Sequence, residues 1–143
     1  MELDNTDREI LKILSRNART PNKAIAEEVF VSAPTVSARI DAMTKAGIIK
    51  GYHADVNVDA VGNFITAYIN MEAAPSVREE LYDKLRSSRE VTECSRVTGE
   101  YSLLIKAVFP STESLDKFTG TLQHYGKTNT QIVFSTVIHR PFI

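Results

Sequence analysis

A single cysteine, Cys94, is all the thiol chemistry in the 143-residue chain. It excludes an intramolecular disulfide and a zinc site assembled from several cysteines. The histidines His53, His124 and His139 are scattered without ligand spacing and read as surface or packed residues. No phosphate-binding loop, nucleophile elbow or catalytic triad pattern occurs, so no cofactor, metal or enzymatic activity is expected. No apolar run approaches the ~20 residues of a membrane span. Residues 1–7 are acidic and lack an apolar core behind a basic head, so no secretory signal is expected. With the scarcity of cysteine, this points to the cytoplasm. A net charge of −1 argues against coating nucleic acid by bulk electrostatics and leaves room for a local basic surface. Internal repeats and low-complexity segments are also missing.

What is present centres on residues 32–47, Ser-Ala-Pro-Thr-Val-Ser-Ala-Arg-Ile-Asp-Ala-Met-Thr-Lys-Ala-Gly. Val36, Ile40 and Met43 recur at helical spacing and predict an inward stripe. Thr35, Ser37, Ala38, Arg39, Asp41, Ala42 and Lys45 fall off that stripe, and most are small or carry hydrogen-bonding groups. Ser32 suits an N-cap, and Gly47 a helix terminator. A helix with so low an outward face fits the DNA major groove, because bulky groups would hold its backbone away from the base edges.

Two further helices are predicted upstream. Asp4 and Asp7 form a capping box for the first, with Ile10, Leu11, Ile13 and Leu14 inward. Thr20 caps the second, Pro21 takes its first position, and Ala24, Ile25 and Val29 face inward. Only Phe30 and Val31 separate it from Ser32, the tight connection of a helix-turn-helix. The same pattern alone would also fit an unrelated small helical bundle.

After Gly47 the pattern changes. Residues 48–56 read as a strand or wing entering a linker that ends near Gly62. Strands are then expected at 64–72, 91–98, 101–109 and 130–138, with a turn at Gly99-Glu100. One helix opens with a Ser76/Glu79 capping box and buries Val77, Leu81 and Leu85. Another is capped by Ser111 and buries Leu115, Phe118 and Leu122. The order β-α-β-β-α-β is ferredoxin-like. Two helices cover one sheet face only. Phe64, Tyr68, Leu104 and Phe134 give both faces apolar character, so burial of the second face by self-association is expected.

Several segments, in order, resemble the Lrp/AsnC (leucine-responsive regulator and asparagine regulator) family of transcription factors. They are Leu3-Asp4-x-x-Asp7-x-x-Ile10-Leu11, Arg19-Thr20-x-x-x-x-Ile25-Ala26, Val31-Ser32-x-x-Thr35-Val36-x-x-Arg39-Ile40, Ala46-Gly47-Ile48-Ile49-x-Gly51-Tyr52 and Thr98-Gly99-Glu100-Tyr101. The resemblance implies an α+β chain with a winged helix-turn-helix of three helices at 1–50, a strand and linker at 51–63, and a ferredoxin-like effector and oligomerisation domain at 64–143. It implies double-stranded DNA as partner, homodimers extending to octamers, and an amino acid or other small molecule as effector. Two positions depart from the family pattern. Phe30 stands where glycine is usual, so the turn either avoids positive φ or is strained. Ser102 stands where an aspartate is usual, offering a neutral hydroxyl in place of a charge for an ammonium group.

The expected DNA-contacting residues are Ser32, Thr35, Ser37, Arg39, Lys45 and Lys50. Arg39 can reach a guanine edge or a phosphate; its alternatives are a surface salt bridge or an internal ion pair that fixes the helix. Ser32 is chiefly a cap, and Thr35 and Ser37 have helix-start hydrogen bonding as their alternative. Effector-lining candidates are Gly99, Glu100, Tyr101 and Ser102, with Thr121, Leu122 and Gln123 at the end of the last helix. Cys94 reads as a small core residue. Two other functions stay open. One is a nucleoid-type binder that bends DNA with little base readout. The other is an enzyme like the sirohaem decarboxylases, whose layout is similar; His53, Arg96, His124 and Arg140 could serve a tetrapyrrole, though nothing in their spacing demands it.

Overall fold

The computed structural model describes residues 1–140, and the last three residues of the expected 64–143 domain lie outside that range. The chain forms two compact units, Met1–Asp55 together with residues 138–140, and Val56–Val137. The expected linker at 51–63 is thus divided between them.

The first unit holds α1 (Asn5–Arg16), α2 (Asn22–Glu28) and α3 (Ala33–Lys45). The α1 capping box forms as expected: Asp7 N–H donates to Asp4 Oδ1 at 2.8 Å, and Asp4 N–H to Asp7 Oδ2 at 3.1 Å. The core joins Ile10, Ile13 and Leu14 of α1, Ile25 and Ala26 of α2, and Val36 and Met43 of α3. Two details of α2 differ from expectation. Pro21 itself is the N-cap, while the Thr20 hydroxyl donates back to the Asn17 carbonyl at 2.8 Å. Ala24 is exposed, and Ala26 takes the inward place beside Ile25. At the end of α3, Ile48 N–H reaches Met43 O at 2.9 Å and Gly47 N–H reaches Thr44 O at 3.0 Å. Gly47 has φ +71°, the left-handed conformation that closes this type of helix end.

The expected strand or wing at 48–56 does not form; residues 46–57 contain neither helix nor strand. The β-favouring side chains are there, but among the described residues the segment finds no backbone partner, and a lone strand is not stable.

The second unit runs β1 (Ile65–Ala73), α4 (Arg78–Ser87), β2 (Val91–Arg96), β3 (Leu103–Phe109), α5 (Thr112–Leu122) and β4 (Gly126–Ile132). All pairings are antiparallel, in the order β2-β3-β1-β4. Alternation along β1 and β3 turns Ala67, Ile69, Met71, Ala73, Leu103, Ile105, Ala107 and Phe109 toward Leu81 and Leu85 of α4 and Leu115, Phe118 and Leu122 of α5. The opposite register carries Tyr68, Leu104 and Val108 among Lys106, Asn129 and Gln131. That second face is therefore mixed rather than continuously apolar.

Two local expectations shift. Strand β4 lies four residues earlier at its start than the expected 130–138. Lys127, Asn129 and Gln131 pair opposite Glu72, Asn70 and Tyr68, an edge strand whose polarity hides its β character. The apolar residues that drew the reading onward stay outside the ladder: Phe134, Val137 and Ile138 are among the most exposed hydrophobics. At α4, a 3-10 turn over Pro75–Val77 precedes the helix and Val77 is its N-cap, so the Ser76/Glu79 box does not form. Proline at the turn's start begins helical geometry before Ser76 could serve as a cap. At α5 the Ser111 cap holds, completed by Ser114.

Candidate functional site

The α3 surface is built from its cap outward. Ser32 Oγ accepts from Thr35 N–H at 3.2 Å and lies 2.7 Å from Thr35 Oγ1, so both hydroxyls serve the helix start. Val36 and Met43 are fully buried and Ile40 is half-buried, as the inward stripe requires. On the outer side Pro34, Ala38, Asp41, Ala42 and Lys45 are exposed, and Ser37 partly so. Lys50 is also exposed.

Arg39 takes the alternative role left open by its sequence position. One of its guanidinium nitrogens donates to Asp4 Oδ2 at 2.7 Å and to Asp7 Oδ1 at 2.8 Å. Asp7 is 3% exposed, the one charged residue in the described core. The guanidinium thus ties α3 to the cap of α1, and the same donors are not free for a guanine edge. The Asp7 backbone N–H, followed by Arg39, lowers the Asp4 pKa, and the two aspartates in turn raise that of Arg39.

The turn ahead of α3 is strained. Phe30 has φ +57°, the only positive value at a non-glycine position among the described residues. Val31 N–H closes back onto Ala26 O at 3.1 Å, which puts Phe30 at the left-handed end position of α2. Its ring is 93% exposed.

In the second unit, antiparallel pairing brings the end of β1, the start of α4, the β2–β3 turn and the start of β4 to one edge of the sheet. They enclose a cleft of about 650 Å³. Gly99, Glu100 and Ser102 line it as expected, with Gly99 at φ +111°. Tyr101 is half-buried beside it, with Lys127 Nζ 5.6 Å above the ring. Lys127 also pairs with Glu100 at 3.4 Å, which is the leading cause of its raised pKa. Thr121, Leu122 and Gln123 are not in this cleft. Leu122 is wholly buried in the core, Thr121 returns its hydroxyl to Phe118 O at 2.7 Å, and Gln123 ends α5.

Sequence reasoning missed Glu72, Arg78, Tyr125 and Lys127, all of which line the cleft. Arg78 reaches the Ala73 carbonyl at 3.5 Å, and its buried Nε has no protein partner. The available signal was topological, since a βαββαβ order brings these segment ends together whatever their residue types. Cys94 also departs from expectation: it is exposed on the edge strand β2. Partial desolvation by its neighbours, aided by Glu93, pushes its thiol pKa up, away from a reactive thiolate. Among the described residues no cluster of metal-ligating side chains occurs.

Comparison with known proteins places both units. Residues 3–50 match the family model for winged helix-turn-helix DNA-binding, and residues 66–143 match that for the Lrp/AsnC ligand binding domain. The transcriptional regulator Ptr1 of Methanocaldococcus jannaschii is 38% identical over 81% of this chain and 78% of its own. Escherichia coli AsnC superposes with a TM-score of 0.89 at 33% identity, over 99% of both chains. A Neisseria meningitidis transcriptional regulator, solved as its L-Met complex, superposes at 0.90 with 28% identity, over 97% of this chain and 94% of that one.

Proposed function

The chain belongs to the Lrp/AsnC family of DNA-binding transcriptional regulators, and from that premise we propose how its own residues divide the work. The outward side of α3 reads the duplex, and the observation that carries this is its low profile: Ala38 and Ala42 exposed, Ser37 partly so, with both ends capped. Small side chains let the helix backbone approach the base edges, where Ser37 supplies hydrogen bonding. Ser32 and Thr35 set the helix start near a phosphate, and Lys45 and Lys50 neutralise phosphates along the groove. Arg39 is a positioning residue: through Asp4 and Asp7 it fixes the angle at which α3 is presented.

Pairing of two chains would space two such helices for a pseudo-palindromic site. Self-association is supported by exposed Phe134, Val137 and Ile138, and dimers extending to octamers are the expected sizes. The edge cleft takes a small effector. It holds carboxylates of Glu72 and Glu100 and cations of Arg78 and Lys127, charges of both signs that suit a zwitterion such as an amino acid. The acid usual at position 102 has a substitute here in Glu72, so an ammonium group still finds a carboxylate.

The test is retardation of a duplex selected from random sequence by the full chain, across a salt series and an amino-acid panel. Lys45→Ala and Lys50→Ala should each reduce the salt slope by about 1, with affinity falling evenly across sequences. Unchanged affinity and slope in both would remove these contacts. A second reading, architectural binding with little base readout, is favoured by one observation: the guanidinium best suited to read guanine is already engaged by two aspartates of its own chain. Competition by random-sequence DNA separates the two, because a base-reading regulator keeps a large specificity ratio.

A further inference from the structure

Phe30 combines two features that a folded protein ordinarily removes. Its backbone is left-handed at φ +57°, where a side chain crowds the following carbonyl, and its ring is 93% exposed. Glycine would relieve the first and a polar residue the second. Within the chain, the ring has no aromatic partner among the described residues and no place in either core. Val31, next along, is half-buried against the helix-turn-helix core, so the turn itself is anchored and Phe30 is held outward.

Its location supplies the partner. Phe30 lies two residues before Ser32, the cap of α3. A recognition helix enters the major groove by its N-terminal end, so a residue at that end is carried to the wall of the groove. Two apolar surfaces lie there, deoxyribose carbons along the wall and thymine 5-methyl groups at the adjoining base edges, and phenylalanine is suited to both. We infer that Phe30 makes an apolar contact with the duplex beside the entry point of α3, and that its ring is covered only when DNA is bound. The inference rests on the DNA-reading role of α3 proposed above. It adds a residue at a position where glycine could make no such contact.

The experiment compares the full chain with Phe30→Gly and Phe30→Asn, both compatible with the left-handed backbone. The glycine variant should melt at a higher temperature yet bind the selected duplex roughly tenfold more weakly. Its salt slope should match the parent's, because no phosphate charge has been lost. Repeating the measurement with deoxyuridine in place of flanking thymines separates the sources. A penalty for deoxyuridine in the parent that vanishes in the variants identifies the methyl group; a loss indifferent to that exchange identifies the sugar. Either result supports the inference. Phe30→Gly and Phe30→Asn binding within twofold of the parent would overturn it, even with the higher melting temperature. If the parent retards no duplex at all, the role of α3 is wrong and this inference falls with it.

Discussion

The two units build their sites in opposite ways. In the first, one continuous helix carries nearly everything: Ser32 to Lys45 set its cap, its buried stripe and its outward side. In the second, the cleft is assembled from the end of β1, the start of α4, the β2–β3 turn and the start of β4, stretches far apart in sequence that run from Glu72 to Lys127. A site on one helix depends on how that helix is held. A site at a sheet edge depends on strand register, and the two therefore fail under different substitutions.

The largest effect expected from that contrast is at Gly126. A β-carbon there would overlap the Glu72 carbonyl oxygen, which is backbone and cannot swing aside. Gly126→Ala should cost about 3 kcal/mol in denaturant unfolding and displace the β1–β4 edge, with loss of effector binding by calorimetry. Wild-type stability in this variant would mean that the register is not what forms the cleft.

Next comes Arg39→Ala. It leaves the buried Asp7 carboxylate without its cation and should cost about 1–2 kcal/mol by the same measurement. Arg39→Lys should recover part of this, since an ammonium restores charge without the planar fork. If both variants unfold like the parent, the link between α1 and α3 carries no stability.

A smaller effect is expected in acid. The Asp4 carboxyl is held below its ordinary value of 3.8, first by the Asp7 N–H and then by Arg39. A depressed folded-state pKa gives stability above about pH 4 that is lost as pH falls through the folded value. Asp4→Asn keeps an N-cap acceptor but not the charge, so its unfolding midpoint should fall less steeply below pH 4 than the parent's. Parallel acid profiles would show the Asp4 charge to be idle.

Legibility in the sequence follows the same division. The three helices were readable because helical periodicity, the Asp4/Asp7 box, Ser32 and Gly47 are local signals that agree with one another. The role of Arg39 was not, because its partners lie more than thirty residues away and its spacing fits an outward or an inward use. In the second unit, the turn at 98–101 stood out by its own motif. Glu72, Arg78 and Lys127 did not, since each looks like an ordinary surface charge until the strand ends meet. The misplaced β4 has the same origin: apolar Phe134 and Val137 look more strand-like than Lys127, Asn129 and Gln131, yet pairing with β1 selects the polar segment. The missing wing shows the reverse, β-favouring residues with no backbone to pair with among the described residues.

On the proposed division of work, α3 meets DNA with its small-residue side while Arg39 holds it from behind. The most direct test measures affinity of the parent and of Arg39→Ala for a panel of duplexes differing by single bases, at a temperature where both are folded. Every duplex should be weakened by a similar factor, with the order of preference kept. Loss of discrimination at one base pair alone would show that Arg39 leaves its aspartates to read that base, contradicting the role given to it here.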